Sequence, residues 1–445
     1  MSDLLSLSVT AVKRALEKGA EEAEVYANAS QVTEVFLQNN DIKLGRSQRF
    51  TQIGIRVFSG RGLGFGSVNS EERSQVESAI DAAISLARTA PRDKANKLPN
   101  PQKVRSVRGL YDKASESFTP EQALDRASTL LKEAKAVDPR ITVDSGQFTS
   151  SIGERAIATS TGVEAEEKAS AFLWFIMGMA TEGGEVSSFQ YEFDGTHKVR
   201  EIEVEKTAQA FGKKVVRSLG AKKAQSFKGT AIFSPGTVQE MLAENIMYAV
   251  DANNVQRELS PFRGKKGKAV AAKTLTVLDD GTLPGGLGSS AFDREGLPHR
   301  AFPIIQRGVL KNYLYNTYAA NKERRRSTGS AVGDARTVPS IGPSNFIIPP
   351  GKETLEDLLE NVKRGILVER LSAFPEPVSG NFSGVVKGGS YIENGELKHP
   401  VKETLLAGNM YEMMRKVTAV SKEQQKIYNY YVPYVVLEGG SVTSG

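Results

Sequence analysis

The sequence predicts an α+β protein with a duplicated helix/strand/helix N-terminal half and a β-rich C-terminal domain. Three observations predict it. An order of helix, strands and helix fills the first ninety residues and returns before residue 220; a lysine- and proline-rich stretch separates the two runs; and from Gly229 the texture changes to short strands broken by glycine and proline. At 445 residues the chain is long enough for roughly two to four domains and for large cores that need no disulfide or metal. The expected boundaries are residues 1–105 for a first α+β domain, 106–225 for a second resembling it, and 226–445 for the β-rich domain.

In the first unit Leu5, Val9, Val12 and Leu16 recur at helical spacing, and Gly19 follows as a stop. Strand-like runs cover 23–29, 32–38 and 53–58, ahead of Arg61-Gly62-Leu63-Gly64-Phe65-Gly66. Ser70 is placed to cap a helix whose apolar face is Val76, Ile80, Ile84 and Ala87. The linker spans 90–107. Thr119-Pro120 then starts a helix, a capping hydroxyl before proline at the first helical position, and the helix runs to 137. Strands at 141–148, 154–160, 163–179 and 186–193 precede a helix over 199–219 carrying Ile202, Ala208, Phe211 and Val215. The matching order suggests duplication without a residue-level repeat, and its long period excludes a solenoid. In the third region a helix is expected over 235–250 and another over 354–364, with turns at 284–286, 339–343 and 349–351.

Composition removes whole classes of chemistry. With no cysteine there are no disulfides, thiolate zinc sites, iron–sulfur clusters or cysteine nucleophiles. The N-terminus, from Met1 to Ser8, has no basic leader and no signal core, which points to the cytoplasm. The most apolar stretch, 169–180, is shorter than the ~20 residues a spanning helix needs and reads as a buried strand, so no membrane is expected. The balance of 58 basic against 52 acidic residues does not predict nucleic-acid binding. Two basic runs, 263–268 and 322–326, lack interleaved aromatics for base stacking and read as solvated loops.

The third region also carries ordered motifs: Leu278-Asp279-Asp280-Gly281-Thr282-Leu283-Pro284-Gly285-Gly286, Phe292-Asp293-Arg294-Glu295-Gly296, Gly308-Val309-Leu310-Lys311-Asn312-Tyr313-Leu314, Ser327-Thr328-Gly329, Pro343-Ser344-Asn345, Ser379-Gly380-Asn381-Phe382-Ser383 and Ile392-Glu393-Asn394-Gly395-Glu396. Together with Gly54-Ile55-Arg56-Val57 and Gly62-Leu63-Gly64-Phe65 near the start, this set resembles the TldD/PmbA (modulator of DNA gyrase) family over nearly the whole chain. The resemblance implies a metalloprotease complex of two related subunits that cleaves peptides or unfolded proteins. In the TldD-like subunit a helix bears His-Glu-x-x-x-His, and a cysteine near the C-terminus completes a zinc site. Imidazoles and a thiolate hold the ion, and the glutamate takes a proton from its water.

This chain departs from that pattern. Counting from Phe233-Ser234-Pro235, Ala243 and Tyr248 occupy the family's histidine positions and Glu244 that of the general base. Glu244 therefore has no metal-bound water to activate, and its plain reading is a helix-surface carboxylate. The three histidines, His197, His299 and His399, are far apart and read as structural. Asp279-Asp280 reads as a turn ahead of Gly281 sooner than as an oxygen-only cation site. Gly285-Gly286-Leu287-Gly288-Ser289-Ser290 lacks a P-loop lysine, Gly62-x-Gly64-x-Gly66 reads as a strand, and no nucleophile elbow is present. No metal and no catalytic residue is thus expected in this chain, and zinc is expected in a TldD-like partner. The resemblance implies a TldE-like subunit in a hetero-oligomer. The alternative is a homodimeric or larger homo-oligomeric peptide-binding or regulatory protein of the same fold.

Overall fold

The computed structural model describes residues 3–373 and 375–445. Met1 and Ser2, which head the segment read as leaderless, lie outside the described residues. Helix α1 (Leu4–Glu17) is capped by Asp3, whose carboxylate accepts the Ser6 amide at 2.8 Å, and it buries Leu4, Ala11, Val12 and Ala15 along one face. Strands β1 (Glu22–Gln38), β2 (Asp41–Ser59) and β3 (Gly62–Val68) follow, then α2 (Arg73–Thr89). The expected cap Ser70 stands outside the helix: its hydroxyl accepts the amide of Glu72, and Glu72 is the N-cap.

The order then recurs. Helix α3 (Pro120–Val137) opens on a capping box between Thr119 and Gln122, as the threonine–proline pair predicts. It leads into β4 (Ile141–Thr159), β5 (Glu164–Glu182), the two-residue β6 (Glu185–Val186), β7 (Gln190–Thr196) and α4 (Val204–Arg217). This last helix is shorter than expected, because Val199–Glu201 forms a separate 3₁₀ turn and Glu203 leaves the helical backbone.

The two repeats share one seven-stranded sheet in the order β3-β2-β1-β4-β5, with β6 and β7 both on β5. Their seam is β1 on β4, antiparallel from Glu24 opposite Thr159 to Gln38 opposite Ser145. Four strands expected as separate, 23–29 with 32–38 and 141–148 with 154–160, are in fact two unbroken ones, β1 and β4. The physical reason lies in the helices. One apolar cluster joins α1 and α2 to Val25, Ala27, Ile55, Val57, Ala156 and Ala158, and a second joins α3 and α4 to Val35, Leu37, Val143 and Phe148. The polar interval between them, with Gln31 and Ser150, separates the two covered patches while backbone pairing continues through it.

In the third region β8 (Phe227–Phe233) enters a helical stretch made of α5 (Pro235–Thr237), a π-helical turn over Val238–Ala243, and α6 (Glu244–Val250). Next come α7 (Ala252–Gln256), β9 (Val277–Asp280), β10 (Ala301–Gln306), β11 (Val309–Leu310), α8 (Thr317–Lys322), β12 (Ala331–Val332), β13 (Ser340–Ile341) and β14 (Phe346–Ile347). The chain ends with α9 (Leu355–Glu360), β15 (Arg364–Ser372), β16 (Asn381–Glu393), β17 (Glu396–Pro400), β18 (Thr404–Asn409), α10 (Met410–Met414), β19 (Val417–Ile427) and β20 (Tyr430–Ser444). Helix α9 stops at Glu360, earlier than expected, because Val362 turns into the core and Arg364 already pairs with Glu393. Strands β8, β15, β16, β18 and β20 pair in a closed ring, β8 meeting both β15 and β20. The α5–α6 stretch is packed into this region's core through Val238, Met241, Leu242, Ile246 and Val250.

Sheet and ring are joined by buried charge. Arg56 on β2 donates through Nη1 to Glu295 at 3.0 Å and through Nη2 to Glu24 on β1. Arg294 donates to the other oxygen of Glu24 at 3.0 Å and lies over the Tyr26 ring, 4.1 Å from its centroid. The second oxygen of Glu295 accepts the Thr317 amide at 2.7 Å. All four charged side chains are at most 7% exposed. Beside them the third region's backbone meets the sheet at Gly54, where an added Cβ would sit 2.3 Å from the carbonyl oxygen of Ala335.

Removing one member of such a network strands its partners in a low dielectric. Arg56→Ala is expected to lower stability by about 3–5 kcal/mol, read as a lower urea midpoint. The double variant Arg56→Met, Glu295→Gln, which removes one charge of each sign and leaves the Glu24–Arg294 pair intact, is expected to recover most of that loss. An Arg56→Ala midpoint equal to that of the parent would refute the role given to the network.

Candidate functional site

The positions that the resemblance singles out fall where the π-helical turn meets α6. A π turn is a rare element, common at functional sites. Ala243 is fully buried, Tyr248 is half-buried, and Glu244 is the only exposed residue from Ser234 to Val250. Where the resemblance places zinc-holding imidazoles these residues offer a methyl group and a phenol, and the sequence has no cysteine to complete such a set. Among the described residues no three His, Cys, Asp or Glu side chains gather to hold an ion.

What the fold does place there is an open cleft of about 390 Å³. Glu244, Tyr248 and Asp251 line one side, Tyr430 another, and Pro343, Pro375 and Pro377 form an apolar wall. The Tyr430 hydroxyl donates to Glu244 at 2.9 Å, so the exposed carboxylate is held by a phenol from β20. Burial, followed by the Glu244 charge, raises the Tyr430 pKa. Asp251 caps α7 by accepting the Asn253 amide at 2.7 Å, and burial raises its pKa. Asn245 donates to the Met241 carbonyl at 2.7 Å, and its own side-chain oxygen is buried without a partner among the described residues. The Tyr411 hydroxyl lies 2.7 Å from the Pro377 carbonyl oxygen, tying the proline wall to α10. Among the described residues no basic side chain lines the cleft, and its Glu244 and Asp251 carboxylates suit amide or ammonium donors.

Asp279 and Asp280 do not form the expected turn between them; they end strand β9. Asp279 is buried and accepts both the amide (2.9 Å) and the hydroxyl (2.6 Å) of Ser344. Asp280 alone makes the turn, accepting the Thr282 amide at 2.8 Å. Asp279 faces Phe346 of β14, and Phe346 faces Tyr430, so the Pro343-Ser344-Asn345 motif braces the cleft from behind. The histidines stay apart. His197 is buried, with Nδ1 against the Ser170 carbonyl and Nε2 3.1 Å from that of Gly286. His399 stacks on Tyr391, and His299, packed against Gly281, has its pKa lowered to about 4 by burial and by the Arg155 charge. In the basic runs Arg263 pairs with Glu258 and Arg325 with Glu323.

Burial pushes the Asp279 pKa up to about 7, against the pull of the Ser344 donors. The folded state therefore keeps a proton that the unfolded chain releases near 3.8, and this contribution to stability is lost as pH rises from about 4 to 7. Asp279→Asn has no such proton to lose. Measured by thermal melting, the variant is expected to gain on the parent by roughly 1–3 kcal/mol between pH 4 and pH 7.5. A gap that stays constant with pH would contradict the buried-acid reading.

Profiles of the PmbA/TldA metallopeptidase domain 1, central domain and C-terminal domain match residues 23–87, 113–219 and 226–444. An uncharacterized protein of Methanocaldococcus jannaschii is 30% identical over 95% of this chain and 97% of its own length. A protein of the same organism named as a metalloprotease is 24% identical over 99% of this chain and 97% of its own length. The crystal structure of TldE from Thermococcus kodakarensis superposes with a TM-score of 0.89 at 25% identity, covering 98% of this chain and all of that one.

Proposed function

The chain belongs to the PmbA/TldA metallopeptidase family, and on that premise we propose that it is a TldE-like subunit that holds no metal and completes a two-subunit peptidase of peptides or unfolded proteins. The carrying observation is the donor set where the π-helical turn meets α6: Ala243, Glu244 and Tyr248 offer a methyl group, a carboxylate engaged by Tyr430 and a phenol, which do not fit a zinc ion. Hydrolysis then belongs to a TldD-like partner that carries the zinc, in the cytoplasm. The likeness to TldE over the whole chain supports this reading.

An edge of the sheet supports a part in substrate handling. Strand β3 pairs with residues 53–59 of β2, so among the described residues the segment 41–52 has β1 on one side and an open edge on the other. An extended peptide can add to such an edge through backbone hydrogen bonds, whatever its sequence. The homo-oligomeric alternative is the rival reading, and association decides between them.

Elemental analysis of the purified chain is expected to find zinc well below one equivalent per chain, and the chain alone is expected to leave casein and unfolded peptides intact. Native-state pull-down is expected to recover a related subunit bearing His-Glu-x-x-x-His. Recovery of the chain with itself alone would favour the homo-oligomer, and stoichiometric zinc with cleavage in isolation would overturn the proposal.

A further inference from the structure

A second cleft, of about 590 Å³, opens between the first repeat, the linker that follows it and the third region. Clefts at such junctions are where small ligands most often bind. Four cationic side chains line it, Arg56, Lys97, Arg257 and Lys322, against two acidic ones, Asp93 and Glu295.

Both acids are already engaged. Asp93 accepts the Ala95 amide and the Tyr318 hydroxyl, each at 2.8 Å. Glu295 accepts Arg56 at 3.0 Å and the Thr317 amide at 2.7 Å. Of the cations, Arg56 is engaged by Glu24 and Glu295, and the other three are not. Among the described residues Lys97, Arg257 and Lys322 have no carboxylate within 4.0 Å, and the Lys322 ammonium rests over the Tyr318 ring, 4.5 Å from its centroid. They come from three separate segments: the linker, the end of α7 and the end of α8. Single exposed lysines are ordinary, but three unpaired cations converging on one concave site whose acids are spent leave an excess of positive charge at its mouth. The rest of the wall mixes the amides of Asn96, Asn253, Gln256 and Asn316 with apolar Phe58, Leu63 and Pro339, and Val338 stands on it 42% exposed.

We propose that this cleft is a binding site for a small organic anion, its carboxylate or phosphate group held by Lys97, Arg257 and Lys322 and its apolar body laid against Phe58, Leu63 and Val338. The site stands whether or not the chain works beside a metal-bearing partner, because none of these residues lies on α6. Such a ligand would touch the first repeat, the linker and the third region at once, beside the Arg56–Glu295 pair that joins them.

Isothermal titration calorimetry on the full chain tests this with four probes: N-acetyl-leucine, hexyl phosphate, the neutral N-acetyl-leucinamide and inorganic phosphate. At least one of the two organic anions is expected to bind tenfold or more tightly than the neutral amide, and which of them does so identifies the anionic group. The double variant Arg257→Ala, Lys322→Ala alters two exposed residues, and its unliganded melting temperature reports whether the fold is kept. It is expected to weaken the anion by roughly tenfold or more, the scale of a lost charge-assisted contact. The proposal fails if neither anion exceeds the amide, if the correctly folded double variant binds as the parent does, or if inorganic phosphate binds as tightly as the organic anions.

Discussion

The arrangement of this molecule depends on two carboxylates and two guanidinium groups taken out of water together. Glu24 and Arg56 come from adjacent strands of the sheet, while Arg294 and Glu295 are neighbours on a loop of the third region, so the network exists only when sheet and ring meet in one relative position. Apolar contact is indifferent to small slides; a set of forked ion pairs is not. The network is also imperfect, since Arg56 Nε and one Arg294 terminal nitrogen are buried without partners among the described residues. That residual cost argues for a positional role over a purely stabilising one, as does Gly54, where the backbones come too close for any side chain.

Helix α6 is held in place by packing and hydrogen bonds of its own region. Its apolar residues belong to the main core of the third region, and Tyr411, Asn245 and the proline wall are fastened to one another by hydrogen bonds that need no ion. Glu244 then projects alone from the buried stretch and is met by Tyr430. Packing dictates the helix, and which chemistry it supports is decided by a few residues on its one accessible turn.

Much of this was legible in the sequence. The doubled order of helices and strands, the Thr119 cap and the change of texture at Gly229 follow from local rules, and they hold. Continuity of β1 and β4 was not legible, because an interval of polar residues looks the same at a chain turn as in mid-sheet between two helix pairs. The places of Ala243 and Tyr248 came from the family resemblance, counted along the chain from Phe233-Ser234-Pro235. Tyr430 and the prolines of the cleft wall did not, because they reach the site from strands and loops far along the chain, and only tertiary pairing of β14 with β20 brings them there. Arg56 lay in plain view within the Gly54-Ile55-Arg56-Val57 motif, yet an arginine in an apolar strand announces burial only once its two acids are known.

One short helix gives the two clefts a common wall. Asn254 of α7 faces the acidic cleft with Glu244 and Asp251, whereas Asn253 and Gln256 of the same helix, with Arg257 just after it, face the basic one. Asp251 caps that helix, so the carboxylate that gives the first cleft part of its charge also orients the backbone that carries Arg257 into the second. The strip from Val338 to Pro343 divides the clefts in the same way. Opposite charge on two faces of a thin partition is costly to bring together in one dry cavity but stable when each face keeps its own water. The partition is therefore what lets a donor-seeking cleft and an anion-seeking cleft lie side by side without neutralising each other.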